Sequence, residues 1–363
     1  MEQNKFSRRE FLKRGTGAAL FTAIGTLKSG EAAYSIAAKK PVVSVVKIKN
    51  DKIGFAVEKA IDLLGGIQSV TRGKERIMLK PNLASESPDS TTKPVVVKTL
   101  TQLMKNSGKE VLIGEGSAAA SGFNVKEDVV YRTRKQEILD KMQQFIFDTL
   151  GYTELAKSVR VPLINLHSGE MAEVKVPNGF VFDKITLHRS VTDADLLCSV
   201  PMMKTHVLAT VTLGMKNLIG LYPGTVYYSA RSWLHDHAAK QKSPGIAFET
   251  IDMVRANKLG LVVVDGSIAM EGDGPSKGSL LKMNLIIAGT NPLATDMVTA
   301  YIMGFETSEI PTFTWANKAG MKPKSLAEIE VRGEKIDNVR RRFVRPNIIT
   351  WDSISKSWGV QEI

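Results

Sequence analysis

Four clusters of polar residues interrupt otherwise apolar stretches of this sequence, and each supplies groups suited to holding an anion or moving a proton. Lys80-Pro81-Asn82 ends a run rich in Ile, Met and Leu with a cation, a rigid turn and an amide. Pro201-Met202-Met203-Lys204-Thr205-His206 is followed closely by Gly214-Met215-Lys216-Asn217, which sets two lysines, a histidine and an amide among Met, Leu and Ile. An ammonium beside apolar residues is a compact charge that can clamp a carboxylate or phosphate. Lys80, Asn82, Lys204, Lys216 and Asn217 are therefore the expected substrate-binding groups, against the alternative of solvated lysines flanking core strands. The third cluster starts where the apolar run Leu261 to Val264 ends in Asp265, and continues to Met270-Glu271-Gly272-Asp273-Gly274-Pro275. Asp265 and Glu271 read as an acid/base pair, and with His206 as ligands for a divalent metal. Gly272 and Gly274 are expected to let the backbone approach a ligand closely. The alternative for Asp265 is a strand-end carboxylate capping its own loop. Asp296, inside an apolar helix, reads equally as functional or as bonded to backbone amides.

The remaining histidines are weighed in the same way. His235-Asp236-His237 offers two imidazoles as alternative metal ligands, although a surface loop leading into a helix is the preferred reading. His167 and His188 have no companions in sequence and read as structural. A Ser/His/Asp hydrolase finds no G-x-S-x-G elbow, and neither a dinucleotide fingerprint nor a P-loop is present.

These clusters need elements to aim them. Val42 to Ile48, Arg76 to Lys80 and Val111 to Gly114 read as strands, with helices at Ile53 to Leu64 and Pro94 to Asn106 between them. Strands alternating with helices over short connections imply an α/β fold, mainly a parallel sheet with helices on both faces. Residues 126–191 break the rhythm with a charged helical stretch and alternating strands around Pro177-Asn178-Gly179, read as an antiparallel and helical insertion or cap. The rhythm resumes at Leu259 to Asp265, Met283 to Gly289 and a helix opening at Asn291-Pro292. The α/β domain is assigned to residues 39–333 and an irregular tail to 334–363. Ligands in this architecture bind beyond the carboxyl ends of strands, where Lys80-Pro81-Asn82 and Gly114-Glu115-Gly116-Ser117 both stand.

The first 38 residues form a leader. Ser7-Arg8-Arg9-Glu10-Phe11-Leu12-Lys13 presents the paired arginines read by the twin-arginine translocase, and the mild apolar stretch after it is too short for a permanent membrane span. Cleavage is expected near Ala37, giving a free periplasmic protein whose partners are the translocase during export and a small anionic ligand, with no stable membrane anchor. The formal charge is +12. The leader holds six basic and three acidic side chains, which leaves +9 for the remainder. The basic residues are scattered and aromatics make up 7%, so nucleic acid is not the expected partner. The single cysteine, Cys198, rules out an internal disulfide and a protein-ligated iron–sulfur cluster.

In order along the chain, Lys80-Pro81-Asn82-Leu83, Lys204-Thr205-His206 with Met215-Lys216-Asn217, Asp265-Gly266 with Met270 to Pro275, and Ala288-Gly289 to Asp296 resemble the DUF362 family over roughly Val42 to Gly304. Some relatives in that family carry cysteine-rich ferredoxin segments, and this chain departs from them in lacking those cysteines. A more distant architectural similarity to nickel-dependent lactate racemases carries no residue correspondence. The resulting expectation is an exported enzyme acting on a small anionic substrate in a strand-end cleft, with metal assistance as an option and the cofactor otherwise unknown. The alternative is a ligand- or cofactor-binding or maturation protein of the cell envelope.

Overall fold

The computed structural model describes residues 39–357 apart from residue 128. The expected leader and its cleavage site lie outside the described residues. Eleven strands form one sheet: β1 (Val42–Lys47), β2 (Arg76–Pro81), β3 (Glu110–Glu115), β4 (Leu163–Asn165), β5 (Leu196–Val200), β6 (Met202–His206), β7 (Thr210–Thr212), β8 (Leu259–Glu271), β9 (Ser279–Leu281), β10 (Leu285–Gly289) and β11 (Glu330–Gly333). The main order is β11-β1-β10-β8-β5-β2-β3-β4, with β6 and β9 attached along the far half of β8 and β7 paired to β6.

From β8 to β4 every neighbouring pair is parallel, and these strands are near-continuous apolar runs because both of their faces are covered. The mixed character enters at β10, which is antiparallel to both β8 and β1. The cause is local: β8 returns through the Gly-rich loop into β9 and β10 with no crossover helix, and so short a return permits only antiparallel pairing.

Alternate residues of the strands feed different layers. Ile77 and Leu79 of β2 join Cys198, Leu261 and Val263 in a core covered by α1 (Ile53–Leu63), α2 (Pro94–Asn106), α3 (Gln136–Thr149) and α4 (Tyr152–Val159). On the opposite face Val262, Val264 and Ile287 meet α8 (Pro292–Ile302) and α9 (Pro311–Lys318), while Met78 and Leu197 meet α6 (Ser232–Lys240) and α7 (Ala247–Ala256). Between them lies α5 (Gly214–Asn217), a single turn. Helix α8 opens as its sequence indicates: Asn291 Oδ1 accepts the Ala294 amide at 2.9 Å, and Pro292 occupies the first turn.

Two segments are built closely into the domain. Residues 126–191 are in large part a crossover of the main sheet: α3 and α4 join the same apolar layer as α2, and β4 pairs in parallel with β3. The hairpin Met171–Lys175 with Lys184–His188 stands apart as an antiparallel unit, as does the short pair Val125–Lys126 with Val129–Val130. The segment after residue 333 has little regular structure before α10 (Trp351–Ser357), yet it packs firmly. Phe343 and Trp351 are buried, and Ile349 N donates to Val207 O at 3.0 Å.

Candidate functional site

The parallel strands β2, β3 and β5 end at one edge of the sheet, and their last residues form a buried polar network. Lys80 Nζ lies 2.8 Å from Glu115 Oε1 and donates to Glu115 Oε2 at 2.9 Å, Pro81 O at 3.0 Å and Asn217 Oδ1 at 3.2 Å. Asn82 Nδ2 donates to the same Asn217 oxygen at 3.0 Å, while Asn217 Nδ2 donates back to Lys80 O and to Ser199 Oγ. Glu115 also accepts the amides of Leu83 and Gly116. Burial holds the Lys80 ammonium below the ordinary lysine range, and the adjoining Glu115 carboxylate opposes that effect. The cluster is tightly closed, since a Cβ on Gly220 would stand 2.5 Å from Glu115 Oε1 and 2.7 Å from Lys80 Nζ.

Asn217 reaches this network because α5 is pinned from the far side. The Gly214 and Met215 amides each donate to a carboxylate oxygen of Asp296, both at 2.8 Å. Asp296 is buried, which raises its pKa to about 7, while the two amide bonds pull the other way. The carboxylate in the apolar helix thus serves backbone amides some 80 residues away in sequence.

Lys216, on the pinned turn, is partly exposed. Desolvation first, then Arg231 and Lys80, lower its pKa to about 7. Among the described residues it has no hydrogen-bond or ion-pair partner. Lys204 is buried and also lowered to about 7, by desolvation and then by Lys216; its Nζ donates to Ser90 O at 2.5 Å and Pro275 O at 3.3 Å. His206 is held well below its usual pKa by burial, with Lys216, His235 and Lys204 acting in the same direction, and its Nδ1 accepts the Leu208 amide at 3.1 Å. Burial, Lys216 and Arg231 lower His235 to about 3. Both imidazoles are therefore neutral at pH 7.

Arg231 completes the cluster. It is buried, desolvation lowers its pKa to about 10, and its guanidinium donates to Ser117 O at 2.7 Å, Gly220 O at 2.9 Å and Gly116 O. The backbone that delivers it is unusual, with Tyr228, Ala230 and Arg231 all at positive φ. Such conformations cost roughly 1–3 kcal/mol each and persist where surrounding structure imposes them. Arg231 Nε, Ser117 Oγ and Ser232 Oγ are buried without a partner, and each orphaned group of that kind costs about 1–3 kcal/mol. The arrangement offers cations and neutral imidazoles to an anion.

The carboxylates expected in the site are engaged by the protein's own amides. Asp265 is buried, but Oδ2 accepts the Lys93 amide at 2.8 Å and Oδ1 accepts both N and Oγ of Ser267. Burial raises its pKa, and those bonds oppose the rise. Glu271 accepts the Val344 amide at 2.8 Å, and Asp273 accepts the Asn347 amide and side chain. The expected metal set His206, Asp265 and Glu271 is thus not assembled, because backbone donors occupy its carboxylates. Among the described residues no group of three His, Cys, Asp or Glu side chains is placed to hold a metal ion. Gly272 meets the demand of a left-handed backbone at φ +73°, whereas Gly274 allows close packing, since a Cβ there would overlap Thr205 O. His235 and His237 do not lie on an extended segment but on α6, where His235 stacks on Trp351 at 4.6 Å and His237 on Phe182 at 4.9 Å.

Sequence reasoning placed Glu115 at a strand end without giving it a role, and it missed Arg231 and Ser199. A signal existed for Glu115, since opposite charges end two neighbouring parallel strands that pair Leu79 with Ile113. Arg231 carried none, because its place depends on a non-repetitive backbone.

The profile of the family described as a domain of unknown function, DUF362, matches residues 77–301. A thylakoid-associated protein of Synechocystis sp. is 26% identical over 266 residues, which is 72% of this chain and 74% of that protein. Two solved structures are similar in fold. The lactate racemase apoprotein of Thermoanaerobacterium thermosaccharolyticum has 14% identity and a TM-score of 0.42 over 73% of this chain and 57% of its own. A protein of Thermotoga maritima has 16% identity and a TM-score of 0.37 over 67% of this chain and 56% of its own. This chain spans little more than half the length of each of those two structures.

Proposed function

We propose, from the premise that the chain belongs to the DUF362 family, that it is exported folded by the twin-arginine route and that it binds a small anion and acts on it at the strand-end site. One observation carries the reading: Lys216 stands beside Arg231 and Lys80 with no carboxylate partner among the described residues. The bare cluster repels itself, and a bound carboxylate, phosphate or sulfate would relieve that repulsion. Such an anion would also meet the orphaned donors around Arg231. Asn217 and Asp296 hold the turn that presents Lys216.

The second reading, binding without turnover, is favoured by the engagement of Asp265 and Glu271 with backbone amides, which leaves no acid/base pair of carboxylates. Calorimetric titration with sulfate, phosphate and short carboxylates tests the site common to both readings. Lys216→Met should weaken the best of these anions by at least about tenfold, or ~1.4 kcal/mol. Unchanged affinity in a folded Lys216→Met protein would remove Lys216 from the site and this function with it.

A further inference from the structure

The site contains one amine that the network leaves over. Lys80 is taken up by Glu115 and Asn217, and Lys204 by the carbonyls of Ser90 and Pro275. Lys216 is partly exposed and has no partner among the described residues. Its turn is fixed at both ends, at Gly214 and Met215 by Asp296 and at Asn217 by the carbonyls of Lys80 and Pro81. The charged and titratable groups facing it are Lys80, Lys204, Arg231, His206 and His235, with Glu115 behind Lys80. A desolvated lysine among other cations keeps its lone pair and becomes a nucleophile toward carbonyl carbon.

We infer that Lys216 is an imine-forming nucleophile for a small carbonyl compound that carries an anionic group, such as an aldehydo or α-keto acid, whose anionic end is held by the remaining cations. The inference rests on the anion site proposed above and names its substrate class. In the step, the Nζ lone pair attacks the carbonyl carbon and the C–O π electrons move to oxygen. The nitrogen gives a proton to solvent, to which Lys216 is partly open, and the oxygen takes one up, giving the carbinolamine. The nitrogen's second proton then goes to the hydroxyl group, the C–O bond breaks, and water leaves as the C=N bond forms. One water is released per imine, and no oxidant or reductant is required. With its pKa at about 7, half of Lys216 is free amine at pH 7, about a thousandfold more than for an ordinary lysine.

The test is reductive trapping of the full chain at pH 7 with glyoxylate and cyanoborohydride, followed by peptide mapping, with calorimetric titration of glyoxylate and of sulfate in parallel. Carboxymethylation of Lys216 at least tenfold above that of exposed Lys157 and Lys184 is expected. The preference should shrink when acetaldehyde, which has no anionic group, replaces glyoxylate, and Lys216→Arg should lose the adduct. If the anions bind but Lys216 is labelled no faster than the surface lysines, the imine assignment falls and the anion site stands. If neither anion binds, both fall. An adduct that moves to Lys204 in the wild-type chain would also overturn the assignment to Lys216.

Discussion

Replacing Glu115 by Gln tests whether the polar network, and not the surrounding core alone, organises the site. Lys80 and Glu115 are 1% and 2% exposed and 2.8 Å apart, so the substitution strands a buried ammonium and keeps an acceptor for only one of the Leu83 and Gly116 amides, which bond different carboxylate oxygens. Breaking a buried pair by removing one partner costs about 3–5 kcal/mol. At ~2.1 cal/mol/K per residue over roughly 320 residues, that corresponds to a fall in Tm of about 4–7 °C. The pH dependence follows from Lys80. Burial already lowers its folded pKa below the unfolded value, and losing Glu115 lowers it further, so the folded variant binds fewer protons than the unfolded chain. Its stability should therefore rise with pH, and its deficit against wild type should narrow from pH 7 toward pH 10. Adding Lys80→Met removes the stranded charge, and the double variant should regain at least about 1 kcal/mol over Glu115→Gln, within the usual range of coupling between contacting residues. Urea and thermal unfolding of the four proteins measure this directly. A single-variant loss below about 1 kcal/mol, or strict additivity of the two substitutions, would refute the reasoning.

Four further outcomes are expected. Gly220→Ala should destabilise by about 1–3 kcal/mol in urea unfolding, because the added methyl overlaps the Lys80–Glu115 contact. Asp296, raised to about 7 in the fold from 3.8, binds more protons folded than unfolded, so its contribution makes stability decline as pH rises from about 4 to about 7; Asp296→Asn should flatten that part of the wild-type profile. Glu271→Gln with Asp273→Asn should speed hydrogen exchange at residues 343–347 and leave sulfate affinity within twofold, whereas a tenfold loss of affinity would return those carboxylates to the site. Arg8→Lys with Arg9→Lys should hold the precursor in the cytoplasm, and fractionation finding normal periplasmic amounts would remove the twin-arginine assignment.

Much of the fold is visible in the sequence because buried parallel strands leave apolar runs and their polar terminators stand out. Lys80, Lys204, His206, Lys216 and Asn217 were found in that way, and the structure brings them to one sheet edge. The carboxylates misled for a physical reason. Asp265 lies in the middle of β8 and not at its end; an aspartate closing an apolar run reads the same whether it faces a ligand or the Lys93 amide, and the choice depends on where α2 begins. Glu271 and Asp273 bond residues some 74 positions later, a pairing that no local pattern records. Arg231 was hidden because a run of positive-φ residues delivers it.

The central claim, that Lys216 is an unpaired cation awaiting an anion, is tested most directly by proton linkage. Sulfate does not titrate near neutrality, so calorimetric titration at pH 8 in buffers of different ionisation enthalpy counts only protons taken up by the protein. Lys216 at about 7 is mostly neutral there, and a bound anion favours its charged form. Proton uptake of several tenths per sulfate bound, falling by at least half in Lys216→Met, is the expected result; binding with no proton uptake, or uptake unchanged by the substitution, would contradict it.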